Sequence, residues 1–176
     1  DPATQATTVE MKERIHYLKE VNPEYLGIHK IHPASANHTD QILEWVKDFT
    51  NEAMPDQQVD EKTIARIQSE IENHKIFIIE EKNRIVTMAR MAGKTPHGNF
   101  VNFVYTPPKF RKRGYASACV AELSHVILEK GNQYACLFTD LANPTSNHIY
   151  REIGYHPDID IIVYRFETSE KGEKYP

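Results

Sequence analysis

Between Ile76 and Tyr105 the chain passes through three apolar stretches with little room between them. Ile76-Phe77-Ile78-Ile79 and Arg84 to Met91 flank a polar link, Glu80-Glu81-Lys82-Asn83, and Asn99 to Tyr105 (NFVNFVY) follows a Gly93–Gly98 loop (GKTPHG). Short runs rich in β-branched and aromatic residues, bounded by polar turns, read as strands. A parallel pair needs a crossover of a dozen or more residues, and these links are shorter. The first two runs therefore predict an antiparallel hairpin, and the third adds a strand to the same group.

Helical spacing surrounds this group. Asp40 to Ala53 puts Ile42, Trp45, Val46 and Phe49 on one face, with Thr39 or Asn37 available as N-cap, and Pro55-Asp56 breaks the run. Asp60 caps a second helix striped with Ile64, Ile67 and Ile71. After the sheet, Ala116, Cys119, Val120, Leu123, Val126 and Ile127 keep helical spacing up to Gly131. Tyr134 to Phe138 is a short strand, Thr145 to Ile153 a short helix closed by Gly154, and Ile159 to Phe166 a last strand. Gly27 to Pro33 alternates apolar and polar residues and predicts a first strand. The expected order is β-α-α-β-β-β-α-β-α-β, an α/β (α+β) chain with a mixed, mostly antiparallel central sheet flanked by helices. Residues 1–26 show no clear period and reach a boundary at Asn22-Pro23. They read as an N-terminal tail or the remnant of a preceding segment, ahead of a domain over 27–168 and a polar C-terminal tail over 169–176.

Composition narrows the function. The net charge of −4 argues against nucleic-acid binding, which needs a basic face. No apolar run approaches the roughly 20 residues of a membrane span, and no signal peptide is apparent. Cys119 and Cys136 both lie in apolar runs and read as buried thiols, consistent with a cytoplasmic setting. The Asn37-His38-Thr39 sequon reads as chance. No histidine pair has convincing zinc spacing, so no metal is expected.

Against that acidic background, YTPPKFRKRGYASACVAEL (Tyr105 to Leu123) gathers Lys109, Arg111, Lys112 and Arg113 immediately before a helix start. The first amides of a helix are unpaired and carry partial positive charge, which suits phosphate oxygens. Gly114 lets an anion approach the backbone, and Ala116 keeps the approach narrow. Taken alone, the segment is also compatible with a solvated turn. Gly93-Lys94-Thr95 is not a Walker A loop, because Met88 stands where the motif needs its first glycine. A G-x-G-x-x-G fingerprint is absent around Gly114.

A second motif follows about 30 residues later. Arg111-x-x-Gly114-x-Ala116 is succeeded by Asn143-x-x-Ser146-x-x-Ile149-Tyr150-x-x-x-Gly154-Tyr155. In this order and spacing the two resemble the motifs of the GCN5-related N-acetyltransferase (GNAT) superfamily, over roughly residues 99–166. The resemblance implies a GNAT fold and an acetyl-coenzyme A-dependent N-acetyltransferase. In that family the first motif's amides, here those of Lys112, Arg113, Gly114, Tyr115, Ala116 and Ser117 beside Arg111, hold the pyrophosphate. The strand end Val104-Tyr105-Thr106 would pair with the pantetheine, Asn143 would bond to the pantetheine arm, and Tyr150 would face the thioester sulfur.

Acetyl transfer to an amine passes through an oxyanion that a strand-end N–H such as that of Val104 can stabilise. A phenol such as Tyr150 can protonate the leaving thiolate. The general base is unassigned. Asn99 to Tyr105 contains no carboxylate, Phe138 stands where some relatives carry Glu, and Asp140, His97, Glu80 or a bound water remain candidates. The missing base leaves open an acyl-coenzyme A sensor or structural module with the same fold. A plain α/β domain with a basic turn is a third reading. The expected partners are acetyl-coenzyme A and an amine acceptor, with the chain a monomer or homodimer. Small amines, antibiotics, peptide N-termini and lysine side chains are all open. The acceptor pocket is expected among the first helices, the Met54–Val59 and Gly93–Gly98 loops and the last strands, including Trp45 and Tyr164.

Overall fold

The computed structural model describes residues 7–54 and 57–166. Seven strands form one sheet: β1 (Thr7–Leu18), β2 (Ile31–Pro33), β3 (Ile76–Glu81), β4 (Arg84–Lys94), β5 (Gly98–Tyr105), β6 (Tyr134–Asp140) and β7 (His156–Phe166). The helices are α1 (Thr39–Ala53), α2 (Glu61–Glu72), α3 (Tyr115–Glu129) and α4 (Pro144–Ile153). Spatially the strands run β2-β3-β4-β5-β6-β1-β7, antiparallel except for the β5–β6 pair. The expected mixed, mostly antiparallel sheet with flanking helices is what is found.

Each face of the sheet carries its own core, because the strands alternate side chains between faces. Ile76 and Ile78 pack with Ile42, Trp45 and Ile67 of α1 and α2. Phe77 and Ile79 belong to the opposite core, together with Cys119, Leu123 and Ile127 of α3. Local signals fix the helix ends. Asp60 caps α2 by accepting from the Thr63 amide at 2.8 Å, and Gly131 (φ 84°) follows the end of α3 in the left-handed region. The N-cap of α1 differs from expectation. His38 occupies it, after a 3-10 turn over Ala36–His38.

Two boundaries move. The first expected strand shortens to Ile31–Pro33, because Gly27 (φ 73°) turns the chain and donates its amide to Glu122 Oε1 at 2.6 Å. The larger correction concerns residues 1–26, which are not a tail from Thr7 onward. β1 is inserted between β6 and β7 and bonds to both, with Glu13 opposite Asp140 on one side and opposite Ile161 on the other. Leu18 and His16 are fully buried and Val21 nearly so. The segment is then tied to α4, as Asn22 N donates to Ile153 O at 2.8 Å and Asn22 Nδ2 to Glu152 O at 3.0 Å. Gly154 makes this junction possible, since a Cβ there would meet Glu20 O at 2.8 Å, at a φ of 117°. The proposed C-terminal tail, 169–176, lies outside the described residues.

Candidate functional site

β5 and β6 begin side by side and then part. They pair at Gly98–Tyr134, Asn99–Ala135 and Phe100–Cys136, and no further. The divergence has a local cause. Phe103 has a φ of 50°, within a register shift of the β4–β5 pair between Met88 and Arg90, so β5 bulges and bends there. Past Phe100 the facing backbone edges are free, and the gap opens into a cavity of about 480 Å³. Val104, Phe138, Asp140, Asn143 and Tyr150 line it, and so does Glu13.

The ends of the gap are fixed by hydrogen bonds. Thr87 Oγ1 donates to Tyr105 O at 3.0 Å, and Arg111 Nε donates to Thr106 O at 2.8 Å. Since the Tyr105 carbonyl is turned to β4, strand alternation turns the Val104 N–H and C=O toward the gap. Of the three strand-end residues, Val104 thus presents free backbone to a ligand, while Tyr105 and Thr106 brace the strand. The Tyr105 side chain is buried against α1, 5.8 Å from Trp45 and within 3.5 Å of both Asp48 and Glu52, where burial and those carboxylates push its phenol up to about 12.

Arg111 is likewise a brace. Its Nη2 reaches Glu52 Oε1 at 2.9 Å and Oε2 at 2.6 Å, so the guanidinium is turned to α1 and away from the helix start. Lys112 and Arg113 are exposed. The helix start itself has the expected form. Lys112 (φ 60°) and Gly114 (φ 78°) are both left-handed, and Gly114 is the N-cap of α3. Among the described residues, the amides of Lys112, Arg113 and Gly114 donate to no protein acceptor. Those of Tyr115, Ala116 and Ser117 precede the first helical bond, Ala118 N to Gly114 O at 3.0 Å. A Cβ on Gly114 would meet nothing within 4 Å, so the space beside this residue is open.

Across the gap, α4 is fastened to the end of β6. Asn147 Nδ2 donates to Asp140 O at 3.0 Å and Asn143 O at 2.7 Å, and Thr139 Oγ1 donates to Asn147 Oδ1 at 2.6 Å. Asn143 Oδ1 accepts from the Ser146 amide at 3.1 Å, which leaves Nδ2 as the group it can offer a ligand. This anchoring holds Tyr150 in the cavity wall, its ring 6.1 Å from that of Tyr155, and burial pushes its phenol up to about 12. It therefore carries its proton at neutral pH.

Glu13 carries no local signal in the sequence, because residues 1–26 lack the periodicity of a strand. It lies directly opposite Asp140 in the β1–β6 register, and its carboxyl is raised above the usual range by burial and then by Asp140. Of the base candidates named from the sequence, Asp140 lines the cavity. Glu80 is held elsewhere by His32 at 2.9 Å and His38 at 3.7 Å, and His97 is exposed. The acceptor-pocket expectation also changes. Trp45 is buried in the α1 core, and the Gly93–Gly98 loop adjoins the closed end of the β5–β6 pair. Tyr164 is opposite Val9, on the β7 face away from Ile161 and Glu13. No group of three metal-ligating side chains is present among the described residues, and no described helix is long and apolar enough to cross a membrane.

Residues 79–162 match the FR47-like protein family. No curated protein matches the chain significantly. Among solved structures, a GCN5-related N-acetyltransferase from Sphaerobacter thermophilus is similar with a TM-score of 0.70 and 17% identity, covering 92% of this chain and 53% of that one. A GNAT-family acetyltransferase from Colwellia psychrerythraea gives 0.67 and 12%, covering 92% and 57%. A predicted acetyltransferase from Clostridium acetobutylicum, solved with acetyl-CoA, gives 0.58 and 17%, covering 84% and 96%. The chain thus spans little more than half the length of the Sphaerobacter and Colwellia proteins. The family match spans β4 through α4, the elements that form the gap, the free helix start and the tyrosine wall; the chain is thus similar to the FR47-like family over these elements, and it shares its fold with the solved GNAT-family acetyltransferases.

Proposed function

We infer that the protein transfers an acetyl group from acetyl-coenzyme A to a primary amine. The observation that carries this reading is the shared cavity of Val104, Asn143 and Tyr150 between the parted strands β5 and β6. The free Val104 edge and Tyr150 line one cavity, and the strand that carries Val104 leads on to the unpaired amides of Lys112 to Ser117 at the start of α3. Those parts match an amide-bearing arm, a thioester and a pyrophosphate in that order. The donor supplies the thioester: the amine nitrogen forms the new N–C bond while the C–S bond breaks.

The protein's share is positional and protonic. Val104 N–H is the backbone donor free to face the carbonyl oxygen. Tyr150, protonated at neutral pH, gives its proton to the sulfur. Glu13, with Asp140 beside it, takes the proton that the attacking ammonium must lose. A carboxylate in this position favours the enzyme over a sensor that only binds.

Saturating acetyl-coenzyme A should raise the melting temperature, by mass action on the folded state. A melting temperature unmoved by any acyl-coenzyme A would refute the reading. Gly114→Asp places a carboxylate beside the free amides and should abolish that shift, whereas Lys112→Ala should only weaken it. Coenzyme A release across an amine panel then separates an enzyme from a sensor.

A further inference from the structure

The cavity has a chemical character beyond acyl transfer. Glu13 and Asp140 face each other across β1 and β6, and the next same-face pair is Ile15 and Phe138. Phe138 stacks on Phe100, with centroids 5.1 Å apart and planes 15° apart, yet remains 41% exposed. On the opposite wall Phe49 and Phe103 lie 4.5 Å apart. α1 and α2 pack over β3, β4 and β5. Thus β6 and β1 present bare apolar surface beside the carboxylate pair.

No lysine or arginine lines the cavity among the described residues. Arg14 does not neutralise Glu13. It lies on the other face of β1, opposite Thr139, and holds Asp160 with both arms of its guanidinium. The two carboxylates therefore stand side by side at the part-apolar cleft without a counter-cation, Asp140 exposed and accepting from the Ala142 amide at 2.8 Å, an arrangement whose like charges repel and favour entry of a cation. The other acids on this side belong to α1 and do not line the cavity. Glu52 is paired with Arg111, and Asp48 lies beside the Tyr105 hydroxyl.

From this we propose that the acceptor is a primary amine with an apolar body of aromatic size and no acidic group near its nitrogen. Its ammonium sits between Glu13 and Asp140, and its body lies on Phe138 and Ile15. The inference deepens the acyl-transfer reading and rests on it for the word acceptor, while the binding preference stands on the cleft alone. A free amino acid would bring a third carboxylate to the pair. A polyamine would lay its further charges on the apolar surface of Phe138 and Ile15, where, among the described residues, no acid lines the cavity besides Glu13 and Asp140. The cavity must also take the thioester end of the donor, so the amine's body extends over the open face of β6 and β1.

The test is calorimetric titration of phenethylamine, phenylalanine and spermidine into the protein without coenzyme A. Phenethylamine should bind at least tenfold more tightly than either of the others, a difference of about 1.4 kcal/mol. Glu13→Gln and the surface variant Phe138→Ser should each reduce phenethylamine affinity severalfold, and Ile162→Ser on the opposite face should not. No phenethylamine binding, equal or tighter binding of phenylalanine or spermidine, or indifference to both cleft variants would each overturn the proposal. Because these titrations need no cofactor, their failure is distinct from failure of acetyl-coenzyme A to stabilise the protein.

Discussion

Leu18→Ala tests whether the N-terminal strand is part of the domain. Leu18 is 0% exposed and belongs to the α3-side core with Leu137, Ile153 and Tyr155. These come from β6, the end of α4 and the residue just before β7, elements held by their own hydrogen bonds. Truncating a fully buried leucine costs about 2–5 kcal/mol, from lost transfer free energy plus the residual cavity. Taking ~3 kcal/mol, the melting temperature should fall by about 6–12 °C for a domain of this size. The urea midpoint should fall by about 1.5 M at an m-value near 2 kcal/mol/M. The assay is fluorescence of Trp45, the single tryptophan, which lies in the α1-side core and reports loss of packing across the sheet from the mutation. Substitutions on a solvated tail change stability by about 0.5 kcal/mol or less. A shift that small would refute β1 as a structural strand and remove Glu13 from the cavity with it.

Two further outcomes are expected. Tyr150→Phe should reduce turnover by about a hundredfold or more, the usual range for a lost general acid, with acetyl-coenzyme A affinity little changed; unaltered turnover would end its role as acid. The Arg14 guanidinium holds the Asp160 carboxyl below its usual range, chiefly by hydrogen bonding. A carboxylate lowered on folding contributes stability above its unfolded value near 4 and loses it as pH falls through the folded value. Melting temperatures recorded from pH 6 to pH 2 should therefore fall less steeply below pH 4 in Arg14→Ala than in the parent protein, and parallel curves would contradict the pairing.

Much of the fold was legible because its signals are local. The β3–β4 hairpin, the Asp60 cap, the α3 stripe and the glycines at 131 and 154 are each read within a few residues. The helix start at Gly114 and the run from Asn143 to Tyr150 were legible for the same reason. β1 was not. Lys12, Glu13 and Arg14 are consecutive charges, and register shifts between Val9 and Met11 and between Arg14 and His16 break the two-residue alternation by which a strand is recognised. Its partners lie near the other end of the chain, where periodicity carries no information about it. Glu13 was missed for that reason alone. Arg111 shows the converse. Its motif position was clear, but its engagement by Glu52, 59 residues earlier, is tertiary.

The place of β1 in the sheet bears on how the chain assembles. Arg14 and Asp160 are 146 residues apart and meet in adjacent strands. At synthesis rates of about 5–20 residues per second, a strand made early waits roughly 7–30 s for β7 to exist. The β3–β4–β5 meander and its helices can form in that interval from short-range contacts, but β6 has no neighbour on its far side until β1 returns to it. Such distant pairing is the slow step of sheet formation. During the wait, an unpaired edge and the apolar surface meant for Leu18 are open to chaperones or to other nascent chains. The strand that brings Glu13 to the cavity thus also makes completion of the site one of the last events in the life of the new polypeptide.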